Sequence, residues 1–175
     1  MMKVLAFAAT NSKQSINKQL VTAASQFVEG AEVEILDIND YEMPLFSMER
    51  EQELGQPALA QAFFKKIGEA DALIVSFAEH NGSYTAAYKN LFDWTSRIDQ
   101  KVFQGKPMLL LATSPGPGGA SSVLAAAAGS APYFAGEVKA QLSVPSFYDN
   151  FDPATGTVTN PEILDQLKSA VAQLS

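Results

Sequence analysis

The sequence predicts a doubly wound α/β domain, a five-stranded parallel sheet with helices on both faces. Two observations carry this. Short apolar runs, of the kind buried on both faces of a sheet, alternate along the chain with segments of helical periodicity. Polar loops follow the first, third and fourth of those runs, which puts all three at the carboxyl edge of such a sheet. A chain of 175 residues, 47% hydrophobic and 18% charged, fits one globular domain spanning 1–175.

Residues 3–8 read as a first strand, a continuous apolar run of the buried parallel type. Ile16, Leu20, Ala24 and Phe27 then recur at helical spacing, with Gly30 as the stop. Residues 32–37 alternate charged with apolar side chains, as suits a second strand nearer the sheet edge. Leu59, Phe63 and Ile67 define a second helix, and 72–76 a third strand. The third helix should bury Ala87, Leu91, Trp94 and Ile98, leaving Lys89, Asp93 and Arg97 as an i,i+4 charge ladder on a solvated face. Residues 108–112 give a fourth strand. An Ala-rich helix follows, in which Pro132 should kink the chain or restart a last turn. Residues 137–144 make the fifth strand, and Leu164, Leu167, Val171 and Leu174 mark a terminal helix. Two long connections, 39–56 and 145–160, exceed what a minimal sheet needs; each is expected to cover a ligand or a partner subunit, or to be a solvated excursion.

Composition narrows the function. A net charge of -7 argues against a broad nucleic-acid surface. No cysteine excludes disulfides, thiolate metal sites and a cysteine nucleophile, and a single histidine excludes a His-rich zinc site. Lys3 followed by the apolar stretch 4–9 is shorter than a signal-peptide core of about 7–15 residues, and no stretch is long enough to span a bilayer. A cytoplasmic protein without membrane or nucleic-acid partners is the expectation.

The loops carry the chemistry. Thr10-Asn11-Ser12-Lys13-Gln14-Ser15 runs into a helix N-terminus, where free amides and the helix dipole favour a phosphate and the hydroxyls of Thr10, Ser12 and Ser15 add donors. Ser15 fits a plain helix cap as well. After the third strand comes Glu79-His80-Asn81-Gly82-Ser83-Tyr84, whose Asn-Gly pair also suits a tight turn. After the fourth comes Ser114-Pro115-Gly116-Pro117-Gly118-Gly119, where glycine lets backbone approach a ligand closely.

The block from Glu79 through Lys89-Asn90-Leu91-Phe92-Asp93-Trp94 closely resembles the flavin-contacting loop and helix of the NADPH-dependent FMN reductases, a branch of the flavodoxin-like superfamily. The resemblance spans Val4 to about Phe147 and implies a flavodoxin-like three-layer sandwich with strand order 2-1-3-4-5 and FMN at the switch point between strands one and three. It implies a phosphate loop from Thr10, Asn11, Ser12, Ser15, Ile16 and Asn17. The isoalloxazine would lie along Glu79, His80, Asn81, Gly82 and Ser83, with Thr113, Ser114, Gly116 and Gly119 at the flavin's far edge. His80 is then a wall residue or a dimer contact rather than an acid or base, since the hydride chemistry belongs to the cofactor. Against the family's Gly-Ser-x-Arg-x-x-Ser pattern this chain places Ala9 at the Gly, Thr10 at the Ser and Ser12 at the Arg, while Ser15 matches, with Lys13 one place from the missing arginine. His80 replaces the usual Tyr, Ala78 the Pro, and Thr85-Ala86 the Pro-Gly. In the family this helix joins subunits, which would make Trp94 an interface anchor in a homodimer or homotetramer.

The implied activity is an FMN-dependent NAD(P)H oxidoreductase, with NADPH or NADH as co-substrate and a small-molecule electron acceptor. The competing reading is a flavodoxin-like flavin-binding or interaction module without turnover. A receiver domain is disfavoured because Thr10-Asn11-Ser12 stands where an acidic cluster would follow the first strand, and no G-x-G-x-x-G supports a dinucleotide fold.

Overall fold

The computed structural model describes residues 1–175. Five parallel strands, β1 (Met2–Ala9), β2 (Ala31–Leu36), β3 (Ala72–Phe77), β4 (Pro107–Thr113) and β5 (Glu137–Val144), form one sheet in the order β2-β1-β3-β4-β5. This is the flavodoxin-like order implied by the sequence. Seven α-helices accompany it: α1 (Ile16–Ser25), α2 (Met48–Leu54), α3 (Ala58–Glu69), α4 (Ala86–Ser96), α5 (Ser121–Ser130), α6 (Phe147–Asn150) and α7 (Pro161–Ala172). A two-stranded antiparallel hairpin, β6 (Phe151–Asp152) and β7 (Thr157–Val158), lies outside the main sheet. No helix is long and apolar enough to cross a membrane.

The two-residue period of a strand divides β1 between two cores. Leu5 and Phe7 face the cluster built with α3, α4 and α5, whereas Val4 and Ala6 face α1 and α7. Central strands β3 and β4 contribute to both clusters in the same way, which is why they read as unbroken apolar runs. Edge strand β2 pairs only with β1 and keeps its polar alternation. Phe7 meets the edge of Phe63 at 5.6 Å, locking β1 against α3.

Several element details differ from the sequence expectations. Helix α1 stops at Ser25, before Phe27, and Gly30 (φ 65°) serves the turn into β2 instead. On α3 the buried residues are Ala60, Phe63 and Ile67, while Leu59 is exposed. On α4 they are Tyr88, Leu91, Trp94 and Thr95; Ala87 and Ile98 are only half-buried. The charge ladder breaks after its first rung: Lys89 pairs with Asp93 at 2.7 Å, but Arg97 makes a two-pronged bond to Glu51 of α2 at 2.6 and 3.1 Å. A bidentate guanidinium–carboxylate pair is the stronger contact, and it drew Arg97 away. Pro132 does restart the chain, in a 3-10 turn at Ala131–Phe134.

The connection 39–56 is a strap over α4. Asn90 accepts from the amide of Phe46 at 2.8 Å and donates to the carbonyls of Met43 and Pro44, both at 3.2 Å. Trp94 donates its indole N–H to Pro44 O at 2.7 Å and meets Phe46 edge-on at 5.0 Å. Its side chain is fully buried by this strap, so Trp94 is core rather than an exposed interface anchor. Segment 145–160 is pinned by Phe147 and Phe151, stacked at 4.5 Å and buried with α1 and α7.

Candidate functional site

The loops after β1, β3 and β4 meet in one cleft of about 280 Å³ at the carboxyl edge, where the strand order reverses between β1 and β3. Thr10, Ser12, Ser15, Ile16 and Asn17 line one wall. Glu79 and His80 come from the loop after β3, and Thr113 and Ser114 from the end of β4. Gln14, Ala78, Pro115 and Tyr148 complete the lining. None of these four was among the site residues expected from the sequence, although Gln14 and Pro115 fall inside two of the polar loops, Ala78 directly precedes the remaining one, and Tyr148 lies in the aromatic-rich connection that follows β5.

Local physics holds the first wall. Ser15 has extended backbone (φ −76°, ψ 126°) and its hydroxyl accepts from Lys18 N at 3.2 Å, so it does cap α1. The amides of Ile16 and Asn17, at the start of the helix, have no acceptor within the chain. They are orphan donors at the positive end of a dipole, and that donor set fits a phosphate. Thr10 is nearly buried, its hydroxyl accepting from Ser12 N at 3.1 Å, which turns the loop.

Asn17 has a different task from its amide. Its side chain, 2% exposed, accepts from the Ser76 hydroxyl at 2.7 Å and from Thr113 N at 3.1 Å, and donates to Thr113 O at 3.2 Å. One amide group thereby ties the start of α1 to the ends of β3 and β4. Thr113 in turn donates its hydroxyl to Val144 O at 2.6 Å, carrying the tie to β5.

The second loop forms the tight turn its Asn-Gly pair suggested. Asn81 (φ 53°) and Gly82 (φ 77°) occupy the left-handed region, and the amides of His80 and Ser83 bond each other's carbonyls at 3.0 and 3.2 Å. Two positive φ angles in succession favour Asn-Gly. Asn81, Gly82 and Ser83 stand exposed beside the cleft and do not line it. The Glu79 carboxylate accepts from Val123 N at 2.7 Å, capping α5. Helix α5 needs this because its own N-cap, Ala120, has no side chain able to accept and sits at φ 57°.

The third loop is fastened to segment 145–160. Gly116 O accepts from Ser146 N at 2.8 Å, and Ser114 O from Phe147 N at 3.0 Å. This linkage, with Phe147 buried, leaves the 63% exposed ring of Tyr148 at the cleft edge. Gly119 lies outside the cleft: its carbonyl accepts from Ser143 Oγ at 2.7 Å, and a Cβ there would overlap Ser143 and the Pro145 backbone. Gly116 and Asn11 also lie outside the lining; Asn11 O accepts from Asn39 at 3.1 Å.

No cationic side chain lines the cleft. Lys13 and Lys18 face a shallow neighbouring groove with Pro153 and Gly156, and Lys18 approaches Asp37 at 3.7 Å. Burial pulls the Asp37 carboxyl upward, but hydrogen bonds from Asn39 together with Lys18 outweigh it and hold it below the usual range. Charge stabilisation at the α1 end of the cleft therefore falls to amides, hydroxyls and the helix dipole.

A parallel sheet in this order, with orphan amides at the β1–β3 switch point, defines a flavodoxin-like protein with an anion-ready cleft. The family model for NADPH-dependent FMN reductase matches residues 2–148, and the chain belongs to that family. A quinone reductase of Escherichia coli (strain K12) is 32% identical over 136 residues, covering 72% of this chain and 68% of that one. An NADPH:quinone oxidoreductase of Arabidopsis thaliana is 32% identical over 126 residues, covering 70% of this chain and 63%, under two thirds, of that one. Among solved structures, FerB, a flavoenzyme NAD(P)H:(acceptor) oxidoreductase of Paracoccus denitrificans, superposes with a TM-score of 0.79 at 24% identity. The match covers 99% of this chain and 95% of that one, and shows the shared fold.

Proposed function

We propose that the protein is an FMN-dependent NAD(P)H oxidoreductase that passes hydride equivalents from NADPH or NADH to a small acceptor such as a flavin, a quinone or an azo compound. The observation that carries it is the convergence of three loops on one cleft, one end of which is a helix N-terminus with unpaired amides suited to a phosphate. Membership of the FMN reductase family supports it, as do the quinone-reducing relatives.

FMN, when bound, supplies the hydride chemistry at its N5, and the protein's work is positioning. The amides of Ile16 and Asn17 with the Ser12 hydroxyl would hold the phosphate. The 78–80 and 113–115 backbones would flank the ring system, and Tyr148 would cover its open side. Both substrates would use the same exposed face in turn, so ping-pong kinetics are the expected signature. A cytoplasmic homodimer or homotetramer is the assembly proposed with this activity.

One observation favours a second reading, a flavin-binding or interaction module without turnover: the cleft has no cation to neutralise a phosphate. A single titration separates the two. FMN is added to purified protein while NADPH and NADH oxidation is followed with 1,4-benzoquinone as acceptor. Saturable binding with turnover supports the enzyme; saturable binding with no oxidation by any acceptor supports the module; no binding at millimolar FMN refutes both. Ser12→Arg should tighten FMN by supplying the missing guanidinium. Ser15→Ala should weaken it, and unchanged affinity would remove the α1 N-terminus from the site.

A further inference from the structure

A second cavity, of about 370 Å³, lies between α4 and α5 on the opposite flank of loop 78–83 and shares no lining residue with the cleft. Its volume falls within the about 300–1,000 Å³ typical of small-molecule sites. It arises from a mismatch of side-chain size. Helix α4 and its neighbours present aromatic rings, Tyr88, Phe92 and Phe134 among them, whereas α5 presents Ala126 and Ala127. Small residues opposite rings leave a gap that the fold does not fill.

The second observation is Tyr88. It lines this cavity and is 3% exposed, yet its hydroxyl has no hydrogen-bond partner within the chain. No side-chain oxygen or nitrogen in the structure is both fully buried and unpaired, so this hydroxyl opens onto the cavity it lines and is free to donate to an acceptor placed there. Nearby Tyr84 differs, because its hydroxyl is satisfied by Ser130 at 3.3 Å. A phenol is already protonated at physiological pH, and burial raises the Tyr88 pKa further above its ordinary value. At the rim Lys89 and Asp93 neutralise one another at 2.7 Å, leaving no charge to select an ion.

We propose that the α4–α5 cavity is a binding site, separate from the flavin cleft, for a neutral planar aromatic molecule carrying one carbonyl, which accepts a hydrogen bond from Tyr88. The site stands whether or not the cleft holds flavin.

The test uses the full chain, with and without excess FMN, and two probes measured by calorimetry: 2-acetylnaphthalene, which has the carbonyl, and 2-ethylnaphthalene, which lacks it. Both should bind with one site per chain and be indifferent to FMN. Tyr88→Phe should weaken 2-acetylnaphthalene about fivefold, the worth of one neutral hydrogen bond, and leave 2-ethylnaphthalene unchanged. Ala126→Trp, on the exposed rim, should abolish both, and it keeps the test decisive should Tyr88→Phe fail to fold. The proposal is overturned by no binding up to the solubility limit or by displacement of the probe by FMN. It falls equally if Tyr88→Phe affects both probes alike, or if the cavity proves closed by a second copy of the chain in a dimer that excludes them.

Discussion

Asn17→Ala tests how the cleft is built. The substitution removes a side chain that holds three hydrogen bonds in a site 2% exposed, and it strands two buried donors, the Ser76 hydroxyl and the Thr113 amide. An orphaned buried donor costs about 1–3 kcal/mol. The hydroxyl can rotate in search of another acceptor while the amide cannot, so a total of about 3 kcal/mol is the working figure. That is a large share of a typical domain stability of about 5–15 kcal/mol. With a urea slope of about 2 kcal/mol/M, the unfolding midpoint should fall by about 1.5 M when followed by far-UV circular dichroism. Because the same side chain sets the spacing between the α1 N-terminus and the end of β4, FMN affinity should also fall, by about tenfold, under conditions where the variant is folded. A midpoint shift below about 0.5 M would refute the tie as a structural element. Full loss of stability with wild-type FMN affinity would show that Asn17 braces the sheet without setting the cleft.

Three further outcomes follow from the same geometry. Glu79→Ala should uncap α5, costing about 0.5–2 kcal/mol and speeding amide exchange at Val123, whereas Glu79→Gln should retain most of the cap; equal exchange in all three proteins would contradict it. The hydrogen bond and charge of Arg97 hold the Glu51 carboxyl below its ordinary value of 4.5, so this contact stabilises above that pH and its contribution is lost as pH falls through the lowered value. Protease sensitivity of the 47–54 segment should therefore rise on acidification, and Glu51→Gln should be equally sensitive at neutral pH. Burial raises the Tyr88 phenol, so above pH 10 the unfolded chain ionises first and stability should decline by about 1.4 kcal/mol per pH unit from this group. Denaturant titrations from pH 9 to 11 should show that decline reduced in Tyr88→Phe; identical slopes would mean the phenol reaches solvent.

Much of the fold was legible because its signals are local. Strands β1, β3 and β4 are buried on both faces, so almost every residue in them must be apolar, and the run itself marks the strand. Asn81-Gly82 likewise encodes its turn through backbone conformations that most side chains disfavour. Where the expectation failed, a distant partner had decided. Arg97 abandoned the α4 ladder for Glu51, 46 residues away in sequence. Trp94 became core only because Pro44 and Phe46 fold across it. Nothing local to α4 announces either event.

The candidate site divides in the same way. By itself the sequence determined which loops line the cleft, because a polar loop after a buried strand, leading into a capped helix, is written in consecutive residues. Only the tertiary structure decided what each side chain does there. Asn17 and Glu79, two residues with the look of ligand contacts, are spent on joining α1 to the sheet and on capping α5. Tyr148 reaches the cleft from a connection 35 residues beyond Thr113 because Phe147 and Phe151 are buried beneath it. The physical reason is that a hydrogen bond or an aromatic contact depends on spatial proximity, and sequence order fixes proximity only over a turn or two of chain. Beyond that range the packing of the two cores against the sheet does the choosing.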